Sequence, residues 1–194
     1  MSKQKHPLEK FSYCPVCGSK RWTVNNEKSK RCEDCGFVYY ANPCSATAAF
    51  IIRKGSTSEP GPAAAPSAYL GKSELLVVRR AKEPAKGTLD LPGGFLDMYE
   101  TGEEGMFREI LEETGLLLTD CRYLFSIPNR YEYSGMTIHT LDMFFRCDVD
   151  NDVKPHADDD AAECMWLPLD SIHPEEFGLT SIRQAVIRFL DESR

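Results

Sequence analysis

The sequence predicts an α/β domain preceded by a small four-cysteine ribbon. Three observations indicate this: the length of 194 residues, two Cys-x-x-Cys pairs near the N-terminus, and strand-like apolar segments around a glycine turn and a helix. With 42% hydrophobic residues, the chain suffices for one ordinary core and one small satellite module. We therefore expect a tail at 1–13, a ribbon at 14–40 and one larger domain at 41–194.

The ribbon is predicted from the spacing of four cysteines. Cys14 and Cys17 form one pair, Cys32 and Cys35 form the other, and a glycine follows each pair. The fourteen residues between the pairs suit a short hairpin. Four thiolates at this spacing can close a tetrahedron around zinc, and the glycines allow the tight turns that this requires. Such a site leaves no open position for a reacting water, so we expect the zinc to be structural.

The other cysteines, Cys44, Cys121, Cys147 and Cys164, are scattered without a pattern. We expect them to be small buried apolar residues in a reducing compartment, and we assign them no chemistry. The sequence has no run of eighteen or more apolar residues, and its first ten residues are polar. It therefore predicts a cytoplasmic protein with no membrane partner.

Charge is unevenly distributed along the chain. Residues 1–40 hold eight Lys/Arg and four Asp/Glu, a net charge of +4, while residues 41–194 hold fifteen and twenty-six, a net charge of −11. The acidic main domain argues against broad nucleic-acid binding. It suits a site that concentrates carboxylates to hold cations, although a solvated acidic surface explains most of these charges equally well.

Strands are predicted from short apolar segments of the main domain. They lie at Ala46–Ile52, Glu74–Arg79, Cys121–Ile127, Thr137–Asp148 and Glu163–Leu167. Residues of about 55–73 are rich in Pro, Gly, Ala and Ser, which predicts a long flexible loop inserted between the first two strands. From Thr180 onward, apolar residues at helical spacing predict a C-terminal amphipathic helix whose stripe packs the core. This stripe comprises Ile182, Ala185, Val186, Phe189 and Leu190.

Pro92, Gly93 and Gly94 are expected to end a strand in a tight turn, and a second helix is predicted after them. Thr101 offers an N-cap, Glu104 completes a capping box, and Gly115 is a natural C-terminal stop. The helix is therefore expected at about 102–114.

Three carboxylates fall on one face of this helix. At 100° per residue, Glu109, Glu112 and Glu113 occupy one arc of about 100°, while Phe107, Ile110 and Leu111 lie opposite. Gly102 and Gly105 share the acidic face and are expected to leave open space above it. Clustered hard oxygen donors suit magnesium or manganese. The alternative is an ordinary exposed acidic face on which Arg108 pairs with Glu104 and Glu112.

The whole segment resembles the Nudix box. It reads Gly94, five residues, Glu100, seven residues, Arg108-Glu109-Ile110, one residue, Glu112-Glu113, one residue, Gly115-Leu116, and matches every defined position. The resemblance implies an α/β/α sandwich around a mixed sheet over about 41–194. It also implies that Glu109, Glu112 and Glu113 ligate magnesium, that the Gly94 carbonyl is a further candidate ligand, and that Arg108 and Glu100 brace the loop-helix-loop.

The implied reaction is hydrolysis of a pyrophosphate bond in a nucleoside-diphosphate derivative, releasing a nucleoside monophosphate. A carboxylate must accept the proton of the attacking water. Glu109 is similar to the base of some family members. In others a later acidic residue acts, and Glu163, three residues before Trp166, is the candidate here; the alternative is that Glu163 is an ordinary strand-edge glutamate.

A ribbon followed directly by a Nudix domain resembles the NADH pyrophosphatase group, as does the segment from Cys35 to Pro43. Two departures leave the substrate open among NADH or NAD, ADP-ribose, a nucleotide sugar and a nucleoside triphosphate. That group carries a further domain before its ribbon, where thirteen residues stand here. Its Ser-Gln-Pro-Trp-Pro-Phe-Pro segment corresponds to residues 126–134, which lack the tryptophan. Tyr131 and Tyr133 are candidates for stacking on a substrate ring, or alternatively are packing residues.

Two other classes of function stay open. One is a nucleotide-sensing module that is catalytically weak and uses the ribbon as a docking surface. The other is an RNA-end processing enzyme, although nucleic acid is not the expected partner, because the aromatic residues of the ribbon are predicted to pack it onto the domain. These residues are Trp22, Phe37, Tyr39 and Tyr40. The resemblance further implies a homodimer.

Overall fold

The computed structural model of the chain describes residues 6–54, 73–118, 120–149, 154–156 and 161–192. The described residues form two compact units. The ribbon unit contains the residues up to Cys44 together with Arg130–His139, and the sheet unit contains Ser45–Asn129 and the residues from Thr140 onward. The loop predicted at about 55–73 lies, apart from Ser73, outside the described residues.

The ribbon unit is built on a three-stranded antiparallel sheet. Strands β1 (Trp22–Asn26) and β2 (Ser29–Cys32) form the predicted hairpin between the cysteine pairs, and β3 (Val38–Tyr40) pairs with β2. Trp22 is buried against Cys14 and Cys32, and its ring stacks on Phe37 at 6.2 Å. This core is too small to stabilise a fold without a further crosslink.

Two ribbon tyrosines are exposed. Tyr39 and Tyr40 are 46% and 45% exposed within the structure, and the packing of the four ribbon aromatics onto the larger domain stays a prediction.

The sheet unit is built on a six-stranded sheet in the order β6-β5-β4-β8-β7, with β9 paired to β5, while Cys44 and the ends of β7 and β8 within Arg130–His139 belong to the ribbon unit. Its strands are β4 (Cys44–Lys54), β5 (Ser73–Arg80), β6 (Leu89–Asp90), β7 (Cys121–Tyr133), β8 (Met136–Val149) and β9 (Ala161–Pro168). All five predicted strands are confirmed. Strand β6 is the strand that the glycine turn was expected to end, and β7 continues past Ile127 to Tyr133.

Both faces of the sheet are covered, as strand β4 shows. Alternate residues of a strand point to opposite faces. Phe50 and Ile52 join one core cluster, while Ala49 and Ile51 join the other. Helix α1 (Gly102–Thr114) packs on the second face, and helix α2 (Thr180–Glu192) packs on the first. The predicted α/β/α sandwich is therefore confirmed.

Helix α2 follows two short 3₁₀ helices, Leu169–Ser171 and Pro174–Glu176. Four residues of its predicted apolar stripe are buried, and Leu190 is partly buried. The Phe189 ring stacks on Phe50 at 4.1 Å. No helix in the described part of the chain is long and apolar enough to span a membrane.

Two of the scattered cysteines are bonded to each other. Cys121 at the start of β7 and Cys147 near the end of β8 form a disulfide, with Cα atoms 4.3 Å apart. The expectation that they carry no chemistry is therefore wrong, because strand pairing joins positions 26 residues apart. Of the other two, Cys44 is exposed and Cys164 is half-buried, so neither is the fully buried residue that was expected.

Candidate active site

The glycine turn fits closely against strand β4. The Ala49 amide donates to the Pro92 carbonyl at 2.9 Å, and the Thr47 amide donates to the Gly94 carbonyl at 2.8 Å. Gly93 has φ +148°, and a Cβ there would meet the β4 backbone, with Ala48 Cα only 2.7 Å away. Only glycine therefore permits this turn to lie against β4.

Helix α1 begins and ends where the sequence predicts. The Thr101 hydroxyl accepts from the Glu104 amide at 3.2 Å, and the Glu104 carboxylate accepts from the Thr101 amide at 2.8 Å. The bond from the Thr101 amide, followed by one from the Thr101 side chain, lowers the pKa of the Glu104 carboxyl. Gly115 closes the helix with φ +68°. The capping box and the glycine stop together fix the helix relative to the turn before it.

Arg108 connects the turn to the acidic face. Its guanidinium donates to the Glu100 carboxylate at 2.6 and 2.8 Å and to the Phe95 carbonyl at 3.0 Å. It also reaches Glu109 at 2.7 Å and Glu112 at 3.4 Å. The bond from Arg108, followed by one from the Asp97 amide, lowers the pKa of Glu100 to about 2. Arg108 therefore joins Glu100 of the loop to Glu109 and Glu112 of the helix in one charged network.

Glu109 lies directly beneath the glycine turn. Its side chain is 17% exposed, and a Cβ on Gly94 would come within 2.8 Å of Oε1 and closer still to the other two carboxylate atoms. Burial raises the pKa of Glu109, against the lowering effect of Arg108. A desolvated carboxylate next to a backbone carbonyl is thus held at the turn.

Glu112 and Glu113 have different surroundings. Glu113 is 8% exposed, and its Oε2 accepts from the Gly93 amide at 3.0 Å. The Glu112 side chain is 52% exposed. Within the described residues, only the ribbon cysteines bring three or more metal-ligating atoms within 4.8 Å of one another. The box carboxylates thus share a helix face without converging on one point.

Two details of the predicted helix surface are wrong. A Cβ on Gly102 would meet Met143 at 3.1 Å, and one on Gly105 would meet Leu96 and Glu100 at 3.0 Å, so neither glycine leaves open space. Their lack of a side chain instead allows close packing. On the opposite face, Leu111 is 44% exposed.

Glu163 is not brought together with the box. It lies opposite Arg79 in the register of β5 and β9, with Arg79 Nε 3.4 Å from its carboxylate. The next residue, Cys164, approaches the Glu113 carbonyl of α1 at 4.0 Å, and burial raises the pKa of its thiol to about 11. Because neighbouring strand residues face opposite ways, Glu163 points away from α1.

Tyr131 and Tyr133 belong to the ribbon unit rather than to the unit that carries the box. Both lie near the end of β7, with ring centroids 6.4 Å apart. Tyr133 is 59% exposed. The two rings thus form a paired aromatic surface beside the turn at Ser134.

The ribbon cysteines form a compact cluster. Their sulfur atoms lie 3.7 Å apart for Cys14 and Cys35 and 3.6 Å apart for Cys17 and Cys32. A tetrahedron with Zn–S bonds of about 2.3 Å has edges of about 3.8 Å. After each pair a glycine with positive φ, Gly18 or Gly36, donates its amide back to the first cysteine. The cluster thus has the dimensions and turns of a four-thiolate site.

One residue that contacts the end of the box helix was not predicted from the sequence. The His156 amide donates to the Thr114 carbonyl at 3.0 Å, and the His156 ring packs so closely on Gly115 that a Cβ there would clash. No local signal connects residues more than forty positions apart.

Comparisons with known proteins agree with this arrangement. The family profile described as NUDIX domain matches residues 61–189. An ADP-ribose pyrophosphatase of Methanocaldococcus jannaschii is 35% identical over 120 residues, covering 60% of this chain and 68% of that protein. A NAD-capped RNA hydrolase NudC of Vibrio cholerae serotype O1 is 25% identical over 172 residues, covering 87% of this chain. The match spans 54% of the NudC chain.

Solved structures share the fold. The NUDIX hydrolase of Nitrosomonas europaea superposes with a TM-score of 0.62 at 19% identity, covering 93% of this chain and 91% of that one. The NUDIX domain of Shewanella oneidensis NrtR, solved with ADP ribose, gives a TM-score of 0.60 at 15% identity, covering 80% and 91%.

Proposed function

This chain belongs to the Nudix family, and on that basis we propose that it is a magnesium-dependent pyrophosphohydrolase. The substrate is a nucleoside diphosphate linked to another moiety, such as NADH, NAD or ADP-ribose, and one product is a nucleoside monophosphate. The observation that carries the proposal is the set of box carboxylates held against the glycine turn.

The donor chemistry fits a hard divalent cation. Glu109, Glu112 and Glu113 would hold magnesium or manganese, with the Gly94 carbonyl as a further ligand. That carbonyl accepts one hydrogen bond from Thr47 and keeps a second lone pair. When bound, the cation neutralises phosphate oxygens and lowers the pKa of a bound water.

The chain's own residues have separate roles in this proposal. Arg108 and Glu100 hold the loop and helix together, so that the glycine turn keeps its place above Glu109. We assign proton acceptance from water to Glu109, because it is similar to the base of some family members and its carboxylate lies at the glycine turn. Glu163 is the weaker candidate, since it pairs with Arg79 and points away from α1.

The four ribbon cysteines are proposed to bind zinc. Their spacing supports a closed tetrahedral site, which stabilises a ribbon whose own core is small. Metal analysis of purified protein should give one zinc per chain, and the Cys17→Ser variant should lose it.

A substrate screen tests the proposed activity. The chain is incubated with NADH, NAD, ADP-ribose, a nucleotide sugar and a nucleoside triphosphate, with magnesium or with chelator. We expect magnesium-dependent release of a nucleoside monophosphate from at least one dinucleotide or ADP-ribose compound. Binding without release of any product would favour a sensing module instead.

RNA is a second candidate substrate. The expectation that nucleic acid is not a partner is weakened, because NAD-capped RNA hydrolases match 87% of the chain, a span that must include part of the ribbon. The net charge of +4 over residues 1–40 is compatible with phosphate binding. Cleavage of NAD-capped RNA more efficiently than free NAD, with a steep salt dependence, would favour this substrate.

We further propose a homodimer, on the resemblance alone. Light scattering at micromolar concentration should give about twice the chain mass of 21.9 kDa. A monomer that persists at higher concentration would rule the dimer out.

A further inference from the structure

A strained tyrosine lies in the loop of the box. The Glu100 amide approaches the Asp97 carbonyl at 3.4 Å, which closes a turn with Met98 and Tyr99 at its centre. Tyr99 has φ +74°. When the residue at the second central position of a turn has a positive φ, that position favours glycine, because a side chain there is crowded by the backbone. The sequence thus places a large aromatic residue where the backbone geometry disfavours one.

Nothing in the described structure compensates for this strain. The Tyr99 side chain is 101% exposed. Among the described residues it makes no hydrogen bond or ring contact. An unfavourable backbone conformation that gains no packing in the folded chain indicates a contact outside the chain.

The turn is rigid and close to the box carboxylates. The Glu100 carboxylate accepts from the Asp97 amide at 2.8 Å, and Arg108 donates to that same carboxylate and to Glu109. The Arg108 guanidinium therefore links Glu100, the residue after Tyr99, to Glu109, a proposed metal ligand. Because the backbone that carries the ring is already held by these bonds, only the side-chain torsions of Tyr99 have to be ordered on binding.

The local charge indicates which part of a substrate fits. The Asp97 side chain is 79% exposed, so a phosphate beside Tyr99 would be repelled. A flat uncharged heteroaromatic ring has no such penalty and stacks well on tyrosine.

We propose that Tyr99 is a specificity-determining residue that stacks on a heteroaromatic ring of the substrate. This inference rests on the proposed function, which supplies a nucleoside-containing substrate beside the turn. Stacking of a base on an aromatic side chain is worth enough to change an affinity by about fivefold or more.

Kinetics of Tyr99→Gly with NADH and ADP-ribose tests the proposal. We expect KM to rise at least about fivefold with kcat within about twofold, because stacking acts on binding. A rise for both compounds identifies the adenine ring, and a rise for NADH alone identifies the nicotinamide ring. Tyr99→Phe should behave like the wild type, since the ring alone is needed. The melting temperature of Tyr99→Gly should not fall, because glycine suits the turn.

Two results would overturn the inference. One is an unchanged KM of Tyr99→Gly for both compounds. The other is an equal rise in Leu117→Ala, a control whose lost side chain is 78% exposed. Calorimetric titration of both compounds without divalent metal gives the same comparison as a Kd. If the chain hydrolyses neither compound, the proposed function is overturned. The Kd values still show whether Tyr99 contributes to binding.

Discussion

Replacing Gly94 by alanine should displace Glu109 while the fold survives. The added Cβ would lie within 2.8 Å of Glu109 Oε1 and closer to the other carboxylate atoms. Ordinary contact begins at 3.4 Å, so the carboxylate must move by roughly 1 Å. A misplacement of that size costs a reaction about 10²-fold. Gly94 has no positive φ and meets a flexible side chain, so we expect little loss of stability.

The assay compares hydrolysis and thermal melting in Gly94→Ala and Gly93→Ala. A Cβ on Gly93 would meet the backbone of β4, which cannot yield, and Gly93 has φ +148°. Gly93→Ala should therefore lower the melting temperature together with activity. Gly94→Ala should lower kcat about 10²-fold at a nearly unchanged melting temperature. Activity of Gly94→Ala within severalfold of the wild type would refute the placement of Glu109.

Three further predictions concern stability. Because the folded pKa of Glu100 is about 2 against an ordinary 4.5, its ion pair stabilises the fold above about pH 4.5 and is lost as pH falls toward 2. The stability difference between wild type and Glu100→Gln in urea titrations should therefore shrink over that range. Cys121→Ser should lower the unfolding free energy by about 3 kcal/mol, and a reductant should abolish the difference. Zinc removal should increase hydrogen exchange over residues 14–40 while the sheet core stays protected; an unchanged ribbon would contradict the zinc assignment.

Local signals predicted the box helix well. Thr101, Glu104 and Gly115 act through bonds within one or two turns, so the sequence alone defines where α1 begins and ends. The five longer strands were also predictable, because each has an apolar run. The glycine turn predicted a strand before it, but not the bounds of β6, because its two residues carry no periodicity and its position depends on pairing with β5.

Tertiary contacts decided what the sequence left open. Helical spacing predicts which positions of α1 share a face with Gly102 and Gly105. It cannot predict what packs on these glycines, because the loop and β8 that fill the space above them come from elsewhere in the chain. The Cys121–Cys147 bond and the His156 contact likewise depend on distant segments. The orientation of Glu163 was open to prediction, since Cys164 and Trp166 form one strand face and Glu163 must lie on the other.

The central claim, that the box carboxylates hold a divalent cation for pyrophosphate hydrolysis, is tested most directly with Glu112→Gln. The Glu112 side chain is 52% exposed and has one long contact of 3.4 Å, to Arg108, so the fold should be unchanged. With magnesium and the best substrate from the screen, the variant should lose hydrolysis, because it removes a ligand charge while keeping the side-chain shape. Glu103→Gln, at an exposed position in the first turn of the same helix, is the matched control and should keep full activity. Activity of Glu112→Gln within a few-fold of the wild type would contradict the claim.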